Sequence, residues 1–343
     1  MSFRVHIEPS GNEFEVSPEE SVLEAALRQG VVLPYGCRNG ACRSCKARVL
    51  AGEIHYPGGP PKGLTPADIA RGDALLCSAH AVTDLTIAAE ELGSGRDLQA
   101  RTLPCRVAAK RQLAHDVVGL ELVLPAAERL QYLPGQYVDI VLRDGRRRAF
   151  SIANAPRPDD RLELHVRVVP GGSFSEHVAH HLKERALLRI HGPLGAFYLR
   201  RDASRPAILM AGGTGFAPVK AMIEGALTEG SGPDLHLYWG VRARRDLYMD
   251  ELARGWAREH TRLTYVPVLS EPAPGDGWAG RTGFVHERVL EDFPDLGGFA
   301  VYMSGPPVMV RAGSEAFTAR GLEPEHCYSD SFDYAYETGH DEA

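Results

Sequence analysis

Four cysteines constrain this chain more than any other feature. Cys37, Cys42 and Cys45 follow the spacing C-x4-C-x2-C, and Cys77 stands alone downstream. That is the plant-type spacing of a [2Fe-2S] site. Two irons need four thiolates, and the negative cluster needs backbone N–H groups directed at its sulfurs. A loop meeting both demands must curl tightly, which Gly36, Gly40 and Ala41 allow. Arg38, Arg43 and Lys46 bring positive charge, which favours the reduced cluster. Structural zinc is the competing reading, and scattered buried thiols are a third. Zinc sites usually pair two short cysteine knuckles, whereas this sequence holds one such pair and a distant fourth thiol. Cys105 and Cys327 fall outside the pattern and read as small apolar fillers.

With 343 residues the chain is long enough for two or three domains. Charge divides it into three blocks. Residues 1–92 carry eight Lys/Arg against twelve Asp/Glu, residues 93–200 carry 17 against 11, and residues 201–343 carry 13 against 22. The Gly/Ser-rich run Leu92-Gly93-Ser94-Gly95-Arg96 reads as a linker. The domains expected are 1–92, 101–202 and 203–335.

In the first block, Phe3, Val5 and Ile7 alternate as in a strand, and Ser10-Gly11-Asn12 turns the chain into a second strand, Glu13–Val16. Ser17-Pro18-Glu19-Glu20 predicts a helix start, with Ser17 as N-cap, Pro18 at the first helical position and Glu20 at N3. Val22, Leu23, Ala26 and Leu27 give its apolar face, and Gly30 ends it.

The second block reads as strands at Cys105–Leu113, Val117–Leu124, Tyr137–Leu142, Arg148–Ile152, Leu162–Val169 and Leu187–His191, with one helix at Ser175–Leu182. Strands separated by turn residues predict a small closed β-barrel. Arg148-Ala149-Phe150-Ser151 lies at a strand end. Arg148 can fork onto a pyrophosphate, Phe150 shares its face and can stack on a ring, and Ser151 offers a hydroxyl to a flavin nitrogen. Downstream, Gly171-Gly172-Ser173-Phe174-Ser175 leads into a helix and exposes N–H groups suited to phosphate. The bland alternative is a solvated arginine and an ordinary Gly-Gly turn. Co-occurrence on one barrel beside an iron–sulfur block favours the flavin.

The third block alternates strand and helix, with strands at Ala207–Ala211, Leu235–Val241, Leu263–Leu269, Phe299–Ser304 and near Cys327. Alternation predicts a parallel sheet of order 3-2-1-4-5 with helices on both faces. Gly212-Gly213-Thr214-Gly215-Phe216-Ala217-Pro218 joins the first strand to its helix, where glycines let a pyrophosphate reach the helix start. Ser304-Gly305-Pro306-Pro307 repeats the device at the fourth strand, so both loops fall at the topological switch point. Arg242, Arg244 and Arg245 follow the second strand, where they can hold a ribose 2′-phosphate or form a solvated basic turn. A solvated turn is the simpler reading.

A chain with 44% apolar and 24% charged residues has the balance of a soluble globular protein. The start Met-Ser-Phe-Arg-Val-His-Ile-Glu lacks an apolar signal region, so a cytoplasmic location is expected. The longest uncharged apolar stretch, Pro206 to Val219, is too short to span a bilayer, so no membrane role is expected. A net charge of -7 gives no electrostatic reason to expect nucleic acid. A monomer is the default. No acid–base dyad or nucleophile is evident.

These three sets, in this order, resemble the ferredoxin-reductase superfamily, and specifically the reductase components of bacterial multicomponent oxygenases. Pro34-Tyr35-Gly36-Cys37-Arg38-Asn39-Gly40-Ala41-Cys42 and Cys327-Tyr328-Ser329-Asp330-Ser331-Phe332 are most similar to its CDP-6-deoxy-glucoseen reductase group. The resemblance implies a multidomain α+β and α/β chain: a β-grasp [2Fe-2S] ferredoxin domain, an antiparallel β-barrel FAD domain and a parallel α/β nucleotide-binding domain. It implies that electrons pass from NADH (NADPH is the alternative) through FAD to the cluster and on to an oxygenase or dehydrase component. A flavin reductase and a redox-sensing module are the alternatives. Arg148, Phe150 and Ser151 match the family's R-x-[YF]-S motif, Gly172 and Ser175 its flavin-phosphate segment, and Gly212, Gly213, Thr214, Gly215 and Pro218 its nicotinamide loop, with Gly305 opposite. Ser304 stands where many members carry Cys beside the nicotinamide, which implies slower or differently tuned transfer. Phe332 matches a C-terminal aromatic that covers the flavin, and Arg43 replaces a glycine common between the second and third cysteines.

Overall fold

The computed structural model describes residues 2–91, 100–200 and 205–332. The expected linker at 92–96 and the expected boundaries at 202, 203 and 335 lie outside them. The chain forms two compact units. One holds the described residues up to Glu91 together with Gly195–Phe197 and Ser329–Ser331, and the other holds Ala100–Leu194, Tyr198–Tyr328 and Phe332.

The first unit contains β1 (Phe3–Glu8), β2 (Glu13–Val16), α1 (Val22–Arg28), β3 (Lys46–Ala51), β4 (Ile54–His55), α2 (Pro66–Ala70), β5 (Asp73–Leu75), β6 (His80–Ala81) and β7 (Leu85–Ala88). Its main sheet has the order β2-β1-β7-β3-β5, with β1 and β7 parallel at its centre. The hairpin β1–β2 and the helix that follows are where the sequence places them. Val5, Ile7, Phe14 and Val16 of the hairpin join Val22, Leu23, Ala25 and Ala26 of α1 in one core. This is the β-grasp arrangement.

The helix starts four residues later than the sequence suggests. Its N-cap is Ser21, whose Oγ accepts from the Glu24 N–H, while Ser17 to Glu20 close a separate turn. Two successive S-x-x-E boxes compete here, and tertiary bonds decide between them. The N–H groups of Val22 and Leu23 donate to the carbonyls of Ala79 and Leu76, at 2.9 and 3.0 Å, so the helix start is docked onto the segment that carries Cys77.

The second unit begins with a barrel: β8 (Arg101–Ala114), β9 (Val117–Val123), β10 (Tyr137–Val141), β11 (Arg147–Ser151), β12 (Arg161–Arg167), α3 (Ser173–His180) and β13 (Leu187–Leu194). The strands run in the order β11-β10-β13-β8-β9-β12, and an antiparallel bridge between Ile152 and Leu164 closes the ring. Alternation explains its core, since Val118, Leu120 and Leu122 of β9 face Leu162, Leu164 and Val166 of β12 inside.

The nucleotide-binding part comprises β14 (Ala207–Gly212), α4 (Phe216–Glu229), β15 (Leu235–Val241), α5 (Asp250–Glu259), β16 (Leu263–Leu269), β17 (Arg281–Thr282), α6 (Val285–Asp292), β18 (Ala300–Gly305), α7 (Pro307–Thr318) and β19 (Cys327–Ser331). Its sheet has the order β17-β16-β15-β14-β18-β19, the expected 3-2-1-4-5 with the short β17 added at one edge. Every residue of β14 is buried, as a central parallel strand covered on both faces requires. No helix among the described residues is long and apolar enough to cross a membrane.

Candidate functional site

The four cysteines of the sequence pattern converge in the first unit as two pairs. Cys37 interacts with Cys42, and Cys45 with Cys77. Backbone donors point at the sulfurs: the Cys37 N–H reaches Cys42 Sγ at 3.4 Å, and the Cys42 N–H reaches Cys37 Sγ at 3.3 Å. The bond from Cys42 lowers the Cys37 thiol to about 6, and the bond from Cys45 lowers Cys77 to about 7, so one sulfur of each pair is poised to ionise. Two pairs of thiols ringed by N–H donors fit a cluster of two irons. Glycine is required at position 40, where φ is +75° and a Cβ would meet Pro61 Cβ at 2.6 Å.

Arg43 holds a left-handed φ of +68°, a conformation that favours glycine and so fits the glycine that the resemblance implies here. Its guanidinium donates to Asp68 Oδ1 at 2.9 Å. Asp68 is buried, caps α2 through Thr65, and also pairs with Lys46 and Arg71. Burial alone would raise its carboxyl, but the Thr65 bonds and the Arg43 and Lys46 charges outweigh that and hold it well below the usual range. The positive charge at Arg43 and Lys46 is therefore offset by Asp68, so less of it reaches the cluster than a count of basic residues suggests.

On the barrel, β11 carries Arg148, Phe150 and Ser151. The Phe150 ring lies 5.5 Å from that of Phe174 in α3, which brings the strand motif beside the Gly172–Ser175 segment. Gly172 is the N-cap of α3, and the Ser175 hydroxyl braces this turn. It accepts from the Val169 N–H at 3.1 Å and donates to the Gly172 carbonyl at 3.0 Å. What α3 offers a phosphate is thus its first-turn N–H groups. A cavity of about 970 Å³ opens from Ser173 and Phe174, with Leu142, Arg143, Lys183 and Arg189 in its lining.

At the sheet, Gly213-Thr214-Gly215 forms a 3-10 turn between β14 and α4. Gly215 packs so closely on β18 that a Cβ there would lie 2.0 Å from the Ser304 carbonyl oxygen. A Cβ on Gly305 would in turn lie 3.0 Å from the Gly212 Cα. The two glycine loops expected at the switch point therefore meet. Pro218 is buried in the first turn of α4, and the Phe332 N–H donates to the Gly305 carbonyl at 3.0 Å. The Ser304 hydroxyl is fully buried and has no hydrogen-bond partner among the described residues. An orphaned hydroxyl beside a turn of close-packed glycines suits a nucleotide whose polar ring end completes it. Of the three arginines after β15, Arg244 donates to the Asp276 carbonyl at 2.8 Å, and Arg245 lies 3.9 Å from Asp246 with three-quarters of its side chain exposed.

Sequence reading missed a buried ionic network between barrel and nucleotide sheet. Lys220 of α4 is buried and donates to the Ala153 carbonyl (2.9 Å), Glu163 Oε2 (3.0 Å) and Glu224 Oε1 (2.8 Å). Glu163 Oε1 accepts from His165 Nε2 at 2.9 Å, and His165 Nδ1 lies 3.0 Å from the Tyr248 hydroxyl. Burial alone would raise the Glu163 carboxyl, but His165 and Lys220 outweigh it and pull it down to about 2. The available signal was a lysine in an apolar helical run with a glutamate four residues on.

Comparison with known proteins accounts for all three parts. A 2Fe-2S iron-sulfur cluster binding domain matches residues 5–82, an oxidoreductase FAD-binding domain residues 104–198, and an oxidoreductase NAD-binding domain residues 209–315. The chain is 40% identical to a CDP-6-deoxy-L-threo-D-glycero-4-hexulose-3-dehydrase reductase of Yersinia pestis, over 97% of this chain and 99% of that one. It is 36% identical to the reductase subunit of an aromatic O-demethylase of Amycolatopsis, over 97% and 99%. Among solved structures, the Amycolatopsis cytochrome P450 reductase GcoB superposes with a TM-score of 0.76 at 35% identity, covering 96% of this chain and 98% of that one.

Proposed function

Since the chain belongs to the ferredoxin-reductase superfamily of iron–sulfur flavoproteins, we propose that it takes electrons from NADH and delivers them to a separate component of the CDP-6-deoxyhexulose dehydrase type. It is an NAD(P)H-dependent oxidoreductase with FAD and [2Fe-2S] domains. When bound, these groups supply the hydride and one-electron chemistry, while the protein supplies placement and electrostatics.

Cys37, Cys42, Cys45 and Cys77 hold the cluster. Arg148 and the first turn of α3 at Gly172 hold the flavin phosphates, and the largely apolar cavity beside Phe174, with Arg143, Lys183 and Arg189 in its lining, suits the adenylate arm. Phe150 and Ser151 orient the flavin ring. Gly212, Gly213, Thr214, Gly215 and Pro218 receive the dinucleotide, and Ser304 gives its buried hydroxyl to the nicotinamide end. Phe332, tied to Gly305, closes the site. The domains run over 1–92, 101–202 and 203–335.

The observation that carries the dehydrase reading is end-to-end similarity at 40% identity, cluster domain included. An oxygenase-type acceptor is the second reading, favoured by the O-demethylase reductase subunit at 36%. The test is NADH consumption with a purified CDP-6-deoxy-4-hexulose-3-dehydrase component and its CDP-sugar, with an oxygenase component, its aromatic substrate and O2, and with neither. Acceleration by the dehydrase alone supports the reading. Equal rates in all three refute it and leave a free-flavin reductase.

A further inference from the structure

The Lys220 network ties two segments that the proposed function assigns to different cofactors. Ala153 lies two residues beyond Ser151 in the flavin strand, and Lys220 lies five residues beyond Gly215 in the nicotinamide turn. The Lys220 ammonium has three protons and three acceptors, so each is matched. Glu224, one turn on, receives the Ala155 N–H at 3.1 Å, so α4 grips the segment after the flavin motif at two points. A second route runs to the start of the turn. Glu163 holds His165, and His165 holds Tyr248. The Tyr248 ring meets Trp239 edge-on at 5.1 Å, and Trp239 Nε1 donates to the Gly213 carbonyl at 3.0 Å. Phe216, stacked on Trp239 at 3.9 Å, begins α4 and joins the two routes. Glu163 itself is fixed to the flavin strand end, because its carbonyl accepts from the Ala153 N–H at 2.7 Å and its N–H donates to Asn154 Oδ1 at 2.7 Å.

Buried ion pairs add little net stability over an apolar pair of the same shape, but they fix geometry, because a charged hydrogen bond tolerates little displacement. We propose that Lys220, with Glu163 as its hub, is a positioning residue for hydride transfer. It sets the separation between the nicotinamide turn and the flavin strand, and so acts on the transfer step and not on nucleotide affinity. This rests on the assignment of those two segments made above.

The test uses the holoprotein and the variants Lys220→Met, Lys220→Arg and the charge-neutral pair Lys220→Met with Glu163→Gln. Rapid-mixing measurement of flavin bleaching gives the limiting transfer rate and the NADH dissociation constant separately. A displacement on the order of 1 Å predicts a limiting rate about 10- to 100-fold lower in both methionine variants, with affinity unchanged and Lys220→Arg partly restored. Amide hydrogen exchange without nucleotide is the second readout. It predicts faster exchange at Gly213–Phe216 and Ile152–Ala155, with unchanged protection at Leu120 in the barrel core. An unchanged limiting rate overturns the proposal. So does a rate loss matched by lost flavin content and a general rise in exchange, which marks a structural role only. Failure of NADH to bleach wild-type flavin would refute the functional reading instead, and the exchange comparison would still decide whether Lys220 fixes the turn.

Discussion

Gly215→Ala separates steric from conformational roles at the Gly213–Gly215 turn of the NAD-binding domain. The backbone at Gly215 has φ -57° and ψ -13°, ordinary helical values, so alanine meets no torsional penalty there. The added methyl would lie 2.0 Å from the Ser304 carbonyl oxygen, 2.4 Å from its carbon and 2.8 Å from the Gly305 nitrogen, all backbone atoms of a central strand. Carbon–oxygen contacts are tolerated down to about 3.3 Å, so turn and strand must part by about 1.3 Å. Overpacking of this kind costs about 1–3 kcal/mol. A displacement near 1 Å at the reacting groups lowers transfer by about 100-fold. Rapid mixing with NADH and a thermal melt measure the two effects. Gly230→Ala, at the other end of α4, is the control. Its φ is +67° with nothing within 4 Å, so it carries only the left-handed penalty of about 1 kcal/mol and leaves transfer unchanged. Transfer in Gly215→Ala within twofold of wild type would refute the reasoning, as would equal slowing by Gly230→Ala.

Asp68→Ala removes the N3 half of the α2 capping box, leaving the Thr65 N-cap in place, and takes from Arg43, Lys46 and Arg71 a shared carboxylate, although Lys46 and Arg71 keep Asp73. A loss of about 1–2 kcal/mol in the first unit is expected, since the cations left behind are partly exposed, read as earlier bleaching of iron–sulfur absorption on heating. Cys45→Ser or Cys77→Ser abolishes that absorption on spectroscopy but leaves flavin bands that NADH still bleaches. Acid stability follows from Glu163, whose carboxyl is lowered from 4.5 to about 2 in the folded chain. Its stabilisation is present above pH 4.5 and is lost as pH falls from there toward 2, about 3 kcal/mol in all. Burial lowers His165 from 6.5, which adds a loss of the same sign that begins below that value. Urea midpoints from pH 6 to 3 should therefore fall less steeply for Glu163→Gln than for wild type.

The [2Fe-2S] domain was legible because its chemistry fixes both residue type and local spacing, and a single loop supplies three of the four cysteines that converge. The alternating patterns of β9 and β12, and the apolar run of β14, likewise report burial directly. The start of α1 was misread because Ser17 and Ser21 offer equal local caps, and only the carbonyls of Leu76 and Ala79, over fifty residues away, distinguish them. The Ser175 hydroxyl fits a phosphate motif as sequence, yet its two local bonds to the Val169–Gly172 turn become visible only in three dimensions. Lys220 shows the same limit more strongly. Its partners Ala153 and Glu163 come from the barrel, 67 and 57 residues earlier in the chain, and no local pattern encodes that meeting. The edge strand β17 is two residues long and too short to carry a period.

The most direct test of the account is an anaerobic NADH titration of the purified protein followed in the visible spectrum. Bleaching of flavin bands together with broad iron–sulfur absorption, with uptake of about three electrons per chain, is the result expected if FAD and one [2Fe-2S] cluster are joined as described. A flavin spectrum alone, with zinc found on metal analysis, would contradict it and make the four cysteines a structural clip on a simple flavin reductase.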